Sequence, residues 1–279
     1  MSTLPERTVA SPQPFRAQGS RTGAALGKML KVALRIVLPV VSIFGLWYGA
    51  ILWSGLPAFV LPRPEAVLKT LIVDWPLIWE HLLHTLQVAV LGFIMANVVG
   101  IGLAVLLVAL PIGGLVVMPA AITMRNIPYV VLVSVLALAM GDGIATKVMV
   151  VTLAGFFPVL VNTHRGLLAV DPIVLDRMRI LDASAWEIFT KVRFPYSLPF
   201  IVAAQEITGS ASIVIAIAIE WMISRTGLGY LINQAMMQYR GDQVYAVALV
   251  AAAISFAVYS LIHYVGDRLN WTEGPDQRR

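Results

Sequence analysis

Long apolar runs broken by short polar stretches set the pattern of this chain. Six of them are predicted as membrane spans, at 32–53, 85–110, 112–140, 144–168, 197–223 and 243–265. At about 1.5 Å per residue, a hydrocarbon core of about 30 Å needs about 20 helical residues, and each run supplies that length. The third run is interrupted by Arg125-Asn126-Ile127-Pro128. Proline removes a helical hydrogen bond and clashes with the preceding turn, so this run reads as one kinked span whose halves are each too short to cross. Trp47, Tyr48 and Trp53 near the end of the first span fit an aromatic belt. Residues 65–72 read as a short interfacial helix with Trp75 and Trp79 as anchors, and 224–242 as a polar loop.

Composition agrees with this pattern. Of 279 residues, 59% are hydrophobic and 13% charged, with mean hydropathy +0.83. A soluble domain carries about 25% charge and could not hide so much apolar surface. The fold class expected is an all-α polytopic membrane protein with six transmembrane helices. It divides into an N-terminal tail at 1–31, a transmembrane domain at 32–265 and a C-terminal tail at 266–279. The tail of about 30 residues before the first apolar run is too long for the start of a cleavable signal peptide. There is no cysteine, which excludes disulfides and thiolate metal sites. His81, His84, His164 and His263 lack metal-ligand spacing, so no metal site is expected.

Charge orients the spans. Six spans put both termini and the loop at 169–195 on one side, which then holds fourteen of the 20 Lys and Arg residues, against five on the other. Only Arg125 falls deep in a span. The positive-inside rule therefore places both termini in the cytoplasm. The net charge of +5 is a topological signal, and no nucleic-acid partner is expected.

The loop at 169–195 is too structured for a simple connection. Asp171-Pro172 is a helix start, with Asp at the N-cap and Pro at the first helical position. Ile173, Val174, Leu175, Met178, Ile180 and Leu181 follow at mostly helical spacing. Asp182-Ala183 breaks the run, and Ser184-Ala185-Trp186-Glu187 has capping-box spacing. The second helix carries Ile188, Phe189 and Val192 and is expected to stop before Pro195. The result is a helix–turn–helix knob, suited either to packing on its own bundle or to docking a cytoplasmic partner.

Ionisable residues inside spans are costly and by default face a partner or a water-filled cavity. Arg125, Glu206 and Glu220 are the deepest here. Asn97, Asn126, Asn162 and Gln205 are candidates for hydrogen bonds between helices, and Gly92, Gly100 and Gly102, near Ala96 and Ala104, for close helix packing. Gly23-Ala24-Ala25-Leu26-Gly27-Lys28 falls one residue short of a phosphate-binding loop, and Met29 stands where Ser or Thr is required. With no nucleophile–base set or paired carboxylates either, an enzyme is not expected.

Several stretches, taken in order, resemble the permease subunits of bacterial ATP-binding-cassette importers, with the nitrate/sulfonate/taurine-type branch nearest. The stretch from Asp176 to Ser184, ending in Phe194-Pro195 and Leu198-Pro199, resembles the family's cytoplasmic loop. Leu61-Pro62-Arg63-Pro64-Glu65-Ala66-Val67, Arg125-Asn126-Ile127-Pro128, Phe156-Phe157-Pro158-Val159-Leu160-Val161-Asn162-Thr163 and Gly227-Leu228-Gly229-Tyr230-Leu231-Ile232 resemble its other segments. The resemblance extends over about residues 45–265. Asp182 stands where the family has glycine, Asp176-Arg177-Met178 where it has Glu-Ala-Ala, and Glu206 where it often has Arg.

The resemblance implies a type I importer fold and a role in forming a pathway for a small, anionic solute. The implied partners are a cytoplasmic ATPase dimer, a second permease subunit (identical or not), an extracytoplasmic solute-binding protein and the lipid bilayer of the bacterial inner membrane. ATP and magnesium would be bound by the ATPase and not by this chain. Asp176, Arg177, Met178, Asp182, Ala183, Ser184, Trp186 and Glu187 become the implied ATPase-coupling residues. Arg125, Asn126, Pro128, Glu206 and Glu220 become the implied pathway or gate residues. The alternative, an ion-coupled secondary transporter, would show internal repeats and more spans.

Overall fold

The computed structural model describes residues 21–269, with the side chains of 21–36, 40, 111–115, 125 and 269 outside the description. Every regular element among the described residues is helical. The chain forms two compact units, Met1–Gly55 and Leu56–Arg279. In the first, the described residues form helix α1 (Arg21–Ser54). Its apolar side chains from Val37 onward are largely exposed, as a lipid-facing helix requires.

The second unit contains α2 (Pro64–Val73), α3 (Trp75–Ala109), α4 (Pro111–Arg125), α5 (Tyr129–Met140), α6 (Ile144–Leu168), α7 (Pro172–Ile180) and α8 (Ala185–Ile188). A π-helical turn at Phe189–Arg193 leads into α9 (Phe194–Ile223), followed by α10 (Leu228–Met237) and α11 (Gly241–Leu269). Five helices among the described residues are long and apolar enough to cross a membrane, and α4 and α5 meet the same test only when taken together as one span, bent by 93° at the break. The Asn126–Pro128 interruption is the cause: Pro128 is the N-cap of α5, in a conformation that cannot continue α4.

Small residues set the helix spacing. Gly92, Ala96, Gly100 and Ala104 recur every fourth position along one stripe of α3, all buried against α6. An added methyl at Gly100 would lie 2.8 Å from Val159 Cβ. Gly155 on α6 repeats the device toward α9, where Thr208 Cγ2 would stand 2.9 Å from such a methyl. Without a hydrophobic force between helices in lipid, this close van der Waals approach is the main source of cohesion. Gly102, expected to share the seam, faces open space.

Some expectations need correction. α3 begins ten residues before the expected span, and its 35 residues measure about 52 Å, so its first turns extend beyond the hydrocarbon. The 224–242 segment is not an unstructured loop, because α10 occupies most of it. Asn97 and Asn162 donate to the carbonyls of Phe93 and Pro158 on their own helices, at 2.9 and 2.8 Å, rather than bridging helices. Residues 21–31, assigned to a tail, already belong to α1. The rest of the expected N-terminal tail and the C-terminal tail from 270 on lie outside the described residues.

Candidate functional site: a hairpin, an elbow and a groove

The α7–α8 hairpin forms as its capping residues dictate. Asp171 Oδ1 accepts from the Ile173 amide at 2.8 Å, with Pro172 in the first turn. α7 ends in a Schellman turn: the Asp182 amide donates to Arg179 and the Ala183 amide to Met178, both at 3.0 Å. Asp182 adopts φ +53°, the left-handed conformation that glycine normally supplies. The Ser184–Glu187 capping box is complete, with the Glu187 amide 3.2 Å from Ser184 Oγ and the Ser184 amide 3.1 Å from Glu187 Oε2. Glu187 also pairs with Lys191 at 2.8 Å, and Asp176 with Arg179 at 3.0 Å.

Of the implied coupling residues, Asp176, Arg177, Asp182, Ser184 and Trp186 are exposed, and Met178, Ala183 and Glu187 are half-buried. The tip also presents apolar surface: Ile180 is 82% exposed, Leu181 75% and Trp186 71%.

The second hairpin helix does not stop before Pro195, as its sequence suggested. It passes through the π turn, where the Phe194 amide bonds the Phe189 carbonyl, directly into α9. Proline lacks the amide needed for a regular turn, and the widened turn accommodates its ring without ending the helix. Trp186, Phe189 and Phe194 form an aromatic ladder along this stretch, with centroids 5.8 and 6.2 Å apart. Phe189 packs on the core cluster containing Leu160 and Leu167. Arg193 donates to the Leu167 carbonyl at 3.3 Å, a cation at the last turn of α6.

At the opposite end of α9, Glu220 is 1% exposed. It serves the start of α10, where three consecutive backbone amides point into the bundle. The Gly227 amide donates to His81 Nδ1 (3.0 Å), the Leu228 amide to Thr85 Oγ1 (2.8 Å) and the Gly229 amide to Glu220 Oε2 (3.1 Å). Thr85 itself donates to Glu220 Oε2 at 2.7 Å. These are the amides that a helix start leaves without intrahelical partners, and a carboxylate there is favoured by the helix dipole. Lys147 of α6 donates to Ser224 Oγ at 2.6 Å, and Ser224 donates to the Thr226 carbonyl at 2.6 Å. Four helices are thus pinned at one elbow.

Between these ends the break in the third span opens onto a groove. Asn126 and Pro128 line a cavity of about 240 Å³ with Phe157 and Ala154 of α6. Ala154 and Phe157 also line a larger one of about 760 Å³ that reaches Asn162, His164 and Arg165 near the end of α6. Pro158, in the same wall, has no amide for the Ala154 carbonyl, which leaves that acceptor outside the helical ladder. The Arg125 side chain lies outside the described residues. Glu206 lies on α9 and pairs with His263 at 2.8 Å. The structure therefore brings Asn126 and Pro128 to the groove, sets Glu206 at the α9–α11 contact and buries Glu220 within the elbow. Sequence reasoning missed His81, Thr85 and Lys147. Thr85 and Lys147 sit at the edges of apolar runs, and nothing local marks them as partners of residues more than 70 positions away.

An all-helical bundle with a broken span, a capped hairpin and a buried polar elbow defines a polytopic transport permease. Residues 90–271 match the family described as "binding-protein-dependent transport system inner membrane component", and the chain belongs to that family. It is a multi-pass membrane protein and the translocation subunit of an ATP-binding-cassette importer. A probable ABC transporter permease of Haemophilus influenzae is 28% identical over 239 residues, covering 86% of this chain and 98% of that one. The formylaminopyrimidine transport permease ThiX of Halalkalibacterium halodurans is 26% identical, covering 82% and 92%. The putative aliphatic sulfonates permease SsuC of Bacillus subtilis is 25% identical, covering 84% and 85%. The fold is shared with a solved chain of the MetNI methionine ABC transporter, in a structure titled as inward facing. The TM-score is 0.54 at 22% identity, over 69% of this chain and 92% of that one.

Proposed function

We propose that the α7–α8 hairpin is the docking knob for a cytoplasmic ATPase dimer, which binds the ATP and magnesium, and that both termini lie in the cytoplasm. The observation that carries this reading is the unbroken path α8–π turn–α9, which joins an exposed apolar tip to a membrane span. A rigid body of this kind transmits displacement at its tip to the span and biases a two-state bundle. The excess of basic residues on the hairpin side supports the orientation.

The groove from the Asn126–Pro128 break to Arg165 is this chain's part of the solute pathway, completed by a second permease subunit. Backbone freed by a break in a spanning helix is tolerated only where it is buried in protein or lines a water-filled cavity. Arg125, Asn126 and Pro128 act along that pathway, Glu206 acts on its gate through the α9–α11 contact, and Glu220 acts on it through its hold on α10. Arg165 in the groove wall favours a small anionic solute, delivered by an extracytoplasmic binding protein.

Co-purification tests the docking. Solubilised in mild detergent, the chain is expected to carry a bound ATPase, and a chain lacking residues 171–193 to lose it while staying in the membrane. ATPase retained on that deletion variant would refute the docking assignment. For the pathway, Arg125→Ala is expected to lower uptake with the complex still assembled, and unchanged uptake counts against it. Calorimetry on the cognate binding protein identifies the solute, and a cation or an uncharged solute overturns the anionic reading.

A further inference from the structure

His263 on α11 stands between two carboxylates. Its Nδ1 lies 2.8 Å from Glu206 Oε1 on α9. Its Nε2 lies 3.7 Å from Asp267 Oδ2, one turn further along α11. Tyr259, one turn earlier, stacks on the imidazole with centroids 5.9 Å apart and planes within 5°. Both ring nitrogens therefore face an acceptor. A neutral imidazole has one N–H to give to Glu206, whereas an imidazolium keeps that bond and adds a positive charge that pairs with Glu206 and, at 3.7 Å, with Asp267.

The setting makes that difference matter. Glu206 lies about 18 Å along α9 from its start, inside a span, where a carboxylate without a partner is expensive. The helices cross closely here: Gly266 of α11 faces Val202 on α9, and Gly209 of α9 faces Ile262 and Val258 on α11. The charged or titratable groups around His263 are Glu206 from α9, with Asp267 and Tyr259 from α11. Arg268 is turned to Tyr264, its Nη2 2.8 Å from the hydroxyl. α3 reaches the same crossing through Phe93, an uncharged ring.

We propose that Glu206, His263 and Asp267 bind one proton as a unit, and that this proton clamps α9 to α11. With the proton, an imidazolium on α11 is ion-paired to Glu206 across the helix pair and to Asp267 on its own helix. Without it, the imidazole is neutral, the bond to Glu206 loses its ion-pair component, and the cross-helix tie is weakened. The helix so held is the one continuous with the α8 end of the hairpin, the span that the proposed docking would move. The clamp depends on geometry within this one chain and stands or falls independently of the ATPase-docking assignment.

The absence of cysteine allows a direct test, because introduced cysteines are then the sole labelling sites. Spin labels at Ala203→Cys on α9 and Leu261→Cys on α11, both exposed positions, report the helix separation. The full-length chain, diluted with unlabelled chain in lipid nanodiscs, is measured at about pH 5 and about pH 9, either side of the ordinary histidine range. A single narrow distance population is expected at low pH, lost to a broader one at high pH. His263→Arg, permanently charged, keeps the narrow population at both. His263→Gln and Glu206→Gln each show the broad population at both, and either suffices if the other does not fold. Identical distributions at the two pH values in the unsubstituted background overturn the proposal. So does a pH response that survives His263→Gln.

Discussion

Single residues at the elbow carry unusual weight because each completes a partner set drawn from distant helices. Gly227 has φ +100°, a conformation that side chains rarely adopt, and a methyl there would overlap the Glu220 carboxylate. Gly227→Ala is therefore expected to cost at least about 2 kcal/mol, read as a lower melting temperature of the detergent-solubilised chain. Asp182 runs the other way. Its left-handed conformation is one that glycine takes without a Cβ penalty, so Asp182→Gly should raise stability by up to about 1 kcal/mol in the same measurement. A drop on Asp182→Gly would mean that its carboxylate earns more at this turn than its backbone strain costs.

At the scale of elements, the capping box is the hairpin's most local support. Ser184→Ala removes an acceptor worth about 1 kcal/mol to the start of α8. Faster limited proteolysis between Leu181 and Phe189 is the expected outcome, with cutting elsewhere unchanged. The elements most legible in the sequence were those whose signals are local. α7 and the start of α8 follow from Asp171-Pro172 and Ser184–Glu187, and the α4–α5 break from Asn126–Pro128. α10 was missed because its cap is not local. His81, Thr85 and Glu220 hold its first amides, and no sequence window around Gly227 contains the first two. The π turn was missed for a related reason: Pro195 ends a helix by local rules, and packing of Phe189 and Val192 against the bundle overrides them. Glu206 and Glu220 were legible as buried ionisable groups but not as members of different sites, since their partners come from other helices.

At the scale of the whole molecule, the apolar spans were readable because bilayer thickness imposes a minimum length on each of them. Their packing was only partly so: the stripe from Gly92 to Ala104 was visible, but which helix it meets was not. Orientation is testable with the same cysteine-free background. A cysteine replacing Leu181, exposed at the hairpin tip, should resist a membrane-impermeant maleimide in intact cells and react once the cytoplasmic face is opened. Labelling from outside intact cells would reverse the topology.

The unbroken helix from Ala185 through Phe194 has a consequence for length variation. A residue inserted within a continuous helix turns everything beyond it by about 100°. One extra residue between Ile188 and Phe194 would swing Trp186 to a different azimuth relative to α9, misaiming the tip even if every contact in the bundle survived. The same insertion between Leu181 and Ser184 would only lengthen a bend and leave that azimuth intact. Natural length polymorphism in this segment should accordingly collect on the α7 side of Ser184 and be purged on the other.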